Sequence, residues 1–243
     1  MEITSTCQFD SDFPVQIKNN LCGVLSMYKV IDFFGKPLPK LKEFFNEFVS
    51  FGKYTLPTIN VIFHDSGIVS IPIRFLDSNV PSDTQLSNAR ELFEGGDIQL
   101  EIVEHSSNSY LPTFLLDRGS DSRGISAYMK GLGFNNALIE KKDANEEEFT
   151  GKFLIESKVH PVVASVLMRK LKHLDDVAQK YYGNIDEITH LVVVVPNIDD
   201  NRVTLWDPAI CSKFSDHVFV DTQEFLSALC PDERLNSHFV FFE

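Results

Sequence analysis

Two apolar runs, HLVVVV at 190–195 and RVTLW at 202–206, are joined by PNIDDN at 196–201. β-Branched residues dominate both runs and the link is dense in turn formers, so the segment is expected to fold as a β-hairpin. This restricts the fold strongly, because an antiparallel register sets every cross-strand neighbour at once. A turn centred between Ile198 and Asp199 sets His190 opposite Asp207, with Cα atoms roughly 4.5–5.5 Å apart. Asp207 then accepts a hydrogen bond from one ring nitrogen, fixes the tautomer and favours imidazolium. The other nitrogen is left to act on a nucleophile.

The rest of the chain divides into short elements. Apolar residues from Leu21 to Phe34 cover most of a helical surface, which predicts a largely buried helix stopped by Gly35 and Pro37. A second helix over 40–50 places Leu41, Phe44, Phe45 and Phe48 on one face. From about 53 to 118 the β-like runs NVIFH, IVSIPIRF and IQLEIV alternate with polar turns. A helix from Arg123 ends at Gly131, FNNALIE at 134–140 reads as a strand, and a further helix covers 146–158. HPVVASVLM at 160–168 reads as a buried strand, and 168–182 suits a polar helix. Asp221, three residues before Glu224, is a capping pattern for a helix reaching Cys230, and SHFVFFE closes the chain as a strand. Gly131-Leu132-Gly133 is a helix stop, since no phosphate-binding glycine pattern accompanies it.

Composition removes several functions. The 243 residues are 43% apolar with 21 Phe, enough to fill a substantial core in one large domain. Lys and Arg number 22 against 35 Asp and Glu, and the net charge of −13 argues against nucleic acid or an anionic membrane as a main partner. No apolar run reaches the roughly 18 residues of a membrane span, and MEITSTCQFDSDF has neither a basic nor an apolar signal region. A cytoplasmic place of synthesis is expected, with export by an effector route left open. Cysteines at 7, 22, 211 and 230 show no C-x-x-C spacing, so neither a zinc ribbon nor a disulfide framework is indicated. His64-Asp65 and the cluster His173, Asp175, Asp176 lack metal-site spacing, and no metal or other cofactor is expected.

Cys22 stands at the first turn of the apolar helix. Unpaired backbone N–H groups and the positive end of the macrodipole favour a thiolate there, and a nearby imidazolium does so further. Gln16, six residues upstream, can donate its side-chain amide toward an oxyanion together with the Cys22 N–H. A lone cysteine on such a helix is most often a small buried hydrophobe. The ordered set of Gln16, Cys22-Gly23, His190 and Asp207 is far more specific. Cys7, Cys211 and Cys230 are read as spectators and Trp206 as core packing.

These pieces resemble a papain-fold cysteine peptidase related to the bacteriocin-processing peptidases. The resemblance is carried by Q-x5-C-G at 16–23 opening a helix that ends FFG at 33–35, by AYMKGLG at 127–133, HPVVASV at 160–166, HLVVVV at 190–195 and Trp206-Asp207-Pro208. It implies an α+β papain-like fold, with an N-terminal helical lobe packed on a C-terminal antiparallel sheet. It also implies that Cys22 is the nucleophile, His190 the base, Asp207 its orienter and Gln16 the oxyanion-hole residue. The chain is then one domain, 1–243, with an insertion at about 53–118 that the minimal domain of this group lacks. Leu21 stands where many relatives carry an acidic residue. The expected substrate is a protein or peptide, engaged through a basic extended segment and cleaved by way of a thioester. The same triad also serves an acyltransferase or a protein deamidase, and a papain-like binding module without catalysis is a further alternative.

Overall fold

The computed structural model describes residues 7–8, 20–51, 122–141, 145–182, 188–230 and 237–243, with strand backbone at 58–63, 67–72, 98–103, 114–115 and 119–120. Six α-helices and eleven strands lie within these ranges. The helices are α1 (Cys22–Phe33), α2 (Leu41–Phe51), α3 (Ser122–Gly131), α4 (Glu146–Val159), α5 (Asp175–Tyr182) and α6 (Thr222–Leu229). The first strands, β1 (Thr58–Phe63), β2 (Gly67–Pro72) and β3 (Ile98–Val103), form an antiparallel sheet in the order β2-β1-β3. Strands β4 (Phe114–Leu115) and β5 (Gly119–Ser120) make a short pair.

The principal sheet has six strands: β6 (Asn136–Glu140), β7 (Val162–Leu167), β8 (Thr189–Val195), β9 (Arg202–Trp206), β10 (Val218–Asp221) and β11 (His238–Phe242). Their order is β10-β9-β8-β7-β11-β6, antiparallel throughout. The protein is therefore α+β, with helices on both faces of the sheet. Unbroken apolar runs in β7 and β8 demand this, because each successive side chain points to the opposite face. Val163, Leu191, Val193, Trp206, Val240 and Phe242 pack with α1, α2 and α3 on one face. Val162, Ala164, Val192, Val194, Phe239 and Phe241 pack with Phe149 and Phe153 of α4 and Phe225 of α6 on the other. The helical cover is thus not confined to the N-terminal part of the chain.

The helix boundaries follow local chemistry. Gly35 (φ 63°) and Gly133 (φ 83°) adopt the left-handed region after α1 and α3, where a side chain would be strained. Asn145 closes a capping box with Glu148 at the start of α4, and Asp221 accepts N–H bonds from Gln223 and Glu224 at the start of α6. The polar segment after β7 differs from the single helix expected over 168–182. It forms two 3₁₀ turns, Met168–Lys170 and Lys172–Leu174, before α5 begins. Their three-residue spacing buries Met168, Leu171 and Leu174 together, which a 3.6-residue helix would spread apart. Strand β10 has no counterpart among the elements expected from the sequence.

The hairpin β8–β9 forms, but its register is not the expected one. Val193 pairs with Trp206 and Val195 with Thr204, so the turn centres between Asp199 and Asp200. Two successive side-chain turns set this loop: Asp199 N–H donates to Asn197 Oδ1 (3.1 Å) and Asn201 N–H to Asp199 Oδ1 (2.9 Å). Asn197 also donates to Thr204 Oγ1 at 2.9 Å. A turn centre displaced by one residue moves each partner by two, so Asp207 keeps its face but becomes a diagonal rather than a direct neighbour of His190.

Helix α1 lies directly on β8. Ser26 Oγ donates to the Leu191 carbonyl at 3.2 Å, and Gly23 faces Ser120 and Leu191. A Cβ at Gly23 would sit 2.4 Å from Ser120 Cβ and 2.9 Å from Leu191 Cδ1. No side chain longer than hydrogen fits without moving the helix. Gly23→Ala is therefore expected to destabilise the protein by about 1–3 kcal/mol, the usual cost of overpacking. Denaturant titration of the two proteins measures this, and Gly23→Ala with Ser120→Gly should recover part of the loss. Among the described residues no helix is long and apolar enough to cross a membrane.

Candidate functional site

Close packing of α1 on β8 brings the first residue of the helix beside the start of the strand. Cys22 opens α1, and the preceding Leu21 makes no side-chain cap. The amides of this first turn have no intrahelical partner, so their dipoles converge on the Cys22 region. The Cys22 side chain lies beside the His190 ring. That ring is held by Asp207: His190 Nε2 lies 2.8 Å from Asp207 Oδ1. Cys22 is 8% exposed, His190 2% and Asp207 not at all.

Asp207 directly follows β9 and heads a tight turn. Its carbonyl accepts N–H bonds from Ile210 (3.2 Å) and Cys211 (2.8 Å), and its own N–H points to Cys211 Sγ at 3.4 Å. Its Oδ1 accepts the Ala209 N–H at 2.8 Å as well as the imidazole. Oδ2 lies 3.2 Å from Nε2 of a second histidine, His173. Leaving a carboxylate charged in such a place requires donors on both oxygens, and it has them.

The electrostatics follow from this shell. Burial alone would push Asp207 up, but the His190 charge, hydrogen bonds from both histidines and the Ala209 N–H hold its carboxyl well below the usual range. Burial alone would push His190 down. The Asp207 charge and hydrogen bond, with the Cys22 contact, instead raise it to about 10. The two form an imidazolium–carboxylate pair at neutral pH. The other thiols lie in different surroundings: burial pushes Cys211 up to about 11 and raises Cys230 as well.

Of the residues the sequence singles out, Cys22, His190 and Asp207 converge, although in a register that differs from the expected one. Gln16 lies outside the described residues, as do His64 and Asp65. His173 does not gather with Asp175 and Asp176 but turns to Asp207. Its pairing with Asp207 is not legible in the sequence, because a continuous helix over 168–182 gives no reason to bring position 173 to the end of β9. The spacing Met168, Leu171, Leu174 was the available signal. A scan of protein-family models and a search of curated proteins return no match to the chain.

The coupled pair makes stability depend on pH in a definite direction. The raised His190 contributes fully below its unfolded value of about 6.5 and loses that contribution as pH climbs toward about 10. The depressed Asp207 contributes above its unfolded value of about 3.9 and loses it on acidification. Denaturant midpoints should fall between about pH 6.5 and about pH 10. In Asp207→Asn, which removes the charge that raises His190, this fall should be much shallower. Parallel curves for the two proteins would contradict the pairing.

Proposed function

We propose that this chain is a cysteine peptidase of papain-like fold, akin to the bacteriocin-processing peptidases, which hydrolyses a peptide bond in a protein or peptide through a thioester. The observation that carries the reading is the buried cluster in which a helix-opening thiol lies beside an imidazole whose Nε2 is held by a carboxylate at 2.8 Å. Nucleophilic acyl chemistry needs these three groups in this order.

In the proposed cycle the Cys22 thiolate attacks the scissile carbonyl carbon and forms a tetrahedral oxyanion. The Cys22 N–H and the Gln16 side-chain amide donate to that oxygen. As the C–N bond breaks, the His190 imidazolium gives its proton to the leaving amine, and a thioester remains. Neutral His190 then takes a proton from water, which attacks the thioester carbon and releases the carboxylic acid and the Cys22 thiolate. Asp207 keeps its negative charge throughout and holds the ring in line. The net charge of −13 favours a basic, extended stretch of substrate.

The test uses trapped substrate from active-site-directed capture, analysed by intact mass after incubation with wild type and Cys22→Ala. Two fragments summing to the substrate plus one water are expected with wild type only. A shift of about +1 Da on an uncleaved chain would mean deamidation, and a larger adduct acyl transfer. Gln16→Ala should lower kcat by roughly 10²–10³ while leaving the fold intact, the usual effect of losing one oxyanion donor.

A further inference from the structure

Asp207 is held by more than the catalytic relay uses. Its Oδ1 carries both the His190 bond and the Ala209 N–H bond. Two bonds to a single oxygen anchor that atom but leave the carboxylate plane free to swing about it. His173 Nε2, 3.2 Å from Oδ2, makes the contact that stops this swing. The ring is placed from outside the sheet by its own 3₁₀ turn. Leu171 and Leu174 bury themselves on either side of it, and the Lys172 N–H donates to Glu224 Oε1 of α6 at 2.9 Å.

The histidine is half-buried, with 17% of its side chain exposed, and Nδ1 is buried without a hydrogen-bond partner among the described residues. A side chain placed only to fill space would not need to be imidazole there. One whose Nε2–H must point at Oδ2 does, and it accepts an idle Nδ1 as the consequence. The titratable groups about the carboxylate are His190 from β8, His173 from the 3₁₀ turn, Cys211 from the turn after β9, and Cys22 of α1 beyond His190. Glu224 lies behind the turn, and Asp175 and Asp176 follow it at the start of α5.

We propose that His173 is a positioning residue of the active site: by donating Nε2–H to Asp207 Oδ2 it fixes the carboxylate plane, and through it the His190 ring that faces Cys22. The inference rests on the cysteine-peptidase reading and adds a fourth member to its hydrogen-bond chain. It assigns His173 no contact with substrate and no proton transfer.

The experiment follows iodoacetamide alkylation of Cys22 against pH, resolved from Cys7, Cys211 and Cys230 by peptide mass spectrometry, together with thermal unfolding. Wild type should be alkylated at Cys22 well before Cys7, Cys211 and Cys230. His173→Phe, which keeps a ring but has no donor, should slow Cys22 alkylation by roughly tenfold at neutral pH. His173→Gln, whose amide can donate to the same oxygen, should lie within about threefold of wild type, as expected if the donor rather than the ring is what matters. A purely structural residue would give the reverse, with Phe tolerated, Gln destabilising and neither profile moved. Coincident profiles for wild type and His173→Phe, with Cys22 activated in both, would overturn the positioning role and leave the peptidase reading standing. A wild-type Cys22 no more reactive than Cys230 would overturn both.

Discussion

The arrangement depends on a single carboxylate that has left water entirely. Desolvating an ion costs several kcal/mol even after relaxation, so Asp207 stays charged only because every polar atom it presents is engaged. Two imidazoles and one backbone N–H serve its oxygens, two further amides serve its carbonyl, and Cys211 sulfur faces its N–H. The end of β9, the start of β8 and the 3₁₀ turns after β7 are therefore tied to one point. The N-terminal segment joins them, since Gln8 N–H donates to the Pro208 carbonyl at 2.7 Å and Cys7 Sγ to the Ala209 carbonyl at 3.3 Å.

Cys22 comes from another part of the chain, and separate braces keep it in place. Trp206, adjacent to Asp207, donates its indole N–H to the Lys213 carbonyl at 3.0 Å and packs on Phe214 with ring centroids 5.6 Å apart. Lys29 of α1, almost wholly buried, donates to the Phe214 carbonyl at 2.6 Å and lies over the Phe214 ring. The loop that follows Asp207 is thus fastened to the helix that presents Cys22. Lys29 lies seven positions after Cys22, about two turns, so both project from nearly the same face of one rigid rod. Double burial of the sheet adds to this rigidity, because neither face can yield without opening a cavity in a close-packed core.

Environment, not residue type, separates the cysteines. Cys211 lies within hydrogen-bond range of the same aspartate whose charge sustains His190, and there the effect is opposite: burial and a nearby negative charge disfavour its thiolate. Cys22 sits instead at a helix start, beside the His190 ring that the same carboxylate holds charged.

Much of the architecture is legible in the chain because it depends on local rules. Apolar periodicity and Gly35 delimit α1, Asp221 starts α6, and the unbroken β-branched run of 190–195 requires a strand covered on both sides. The sequence by itself also singles out Cys22, His190 and Asp207 by residue type and order. It could not set the hairpin register, since the choice between two turn centres rests on Asn197 and Asp199 side chains and on the Thr222 N–H donating to the Asn201 carbonyl from a helix twenty residues on. Nor could it place His173, whose position follows from two 3₁₀ turns that exist because Leu171 and Leu174 find a core built by α6 and β7. Both are decided by the tertiary structure for one physical reason: local propensities there are nearly balanced, and the burial of distant residues tips them.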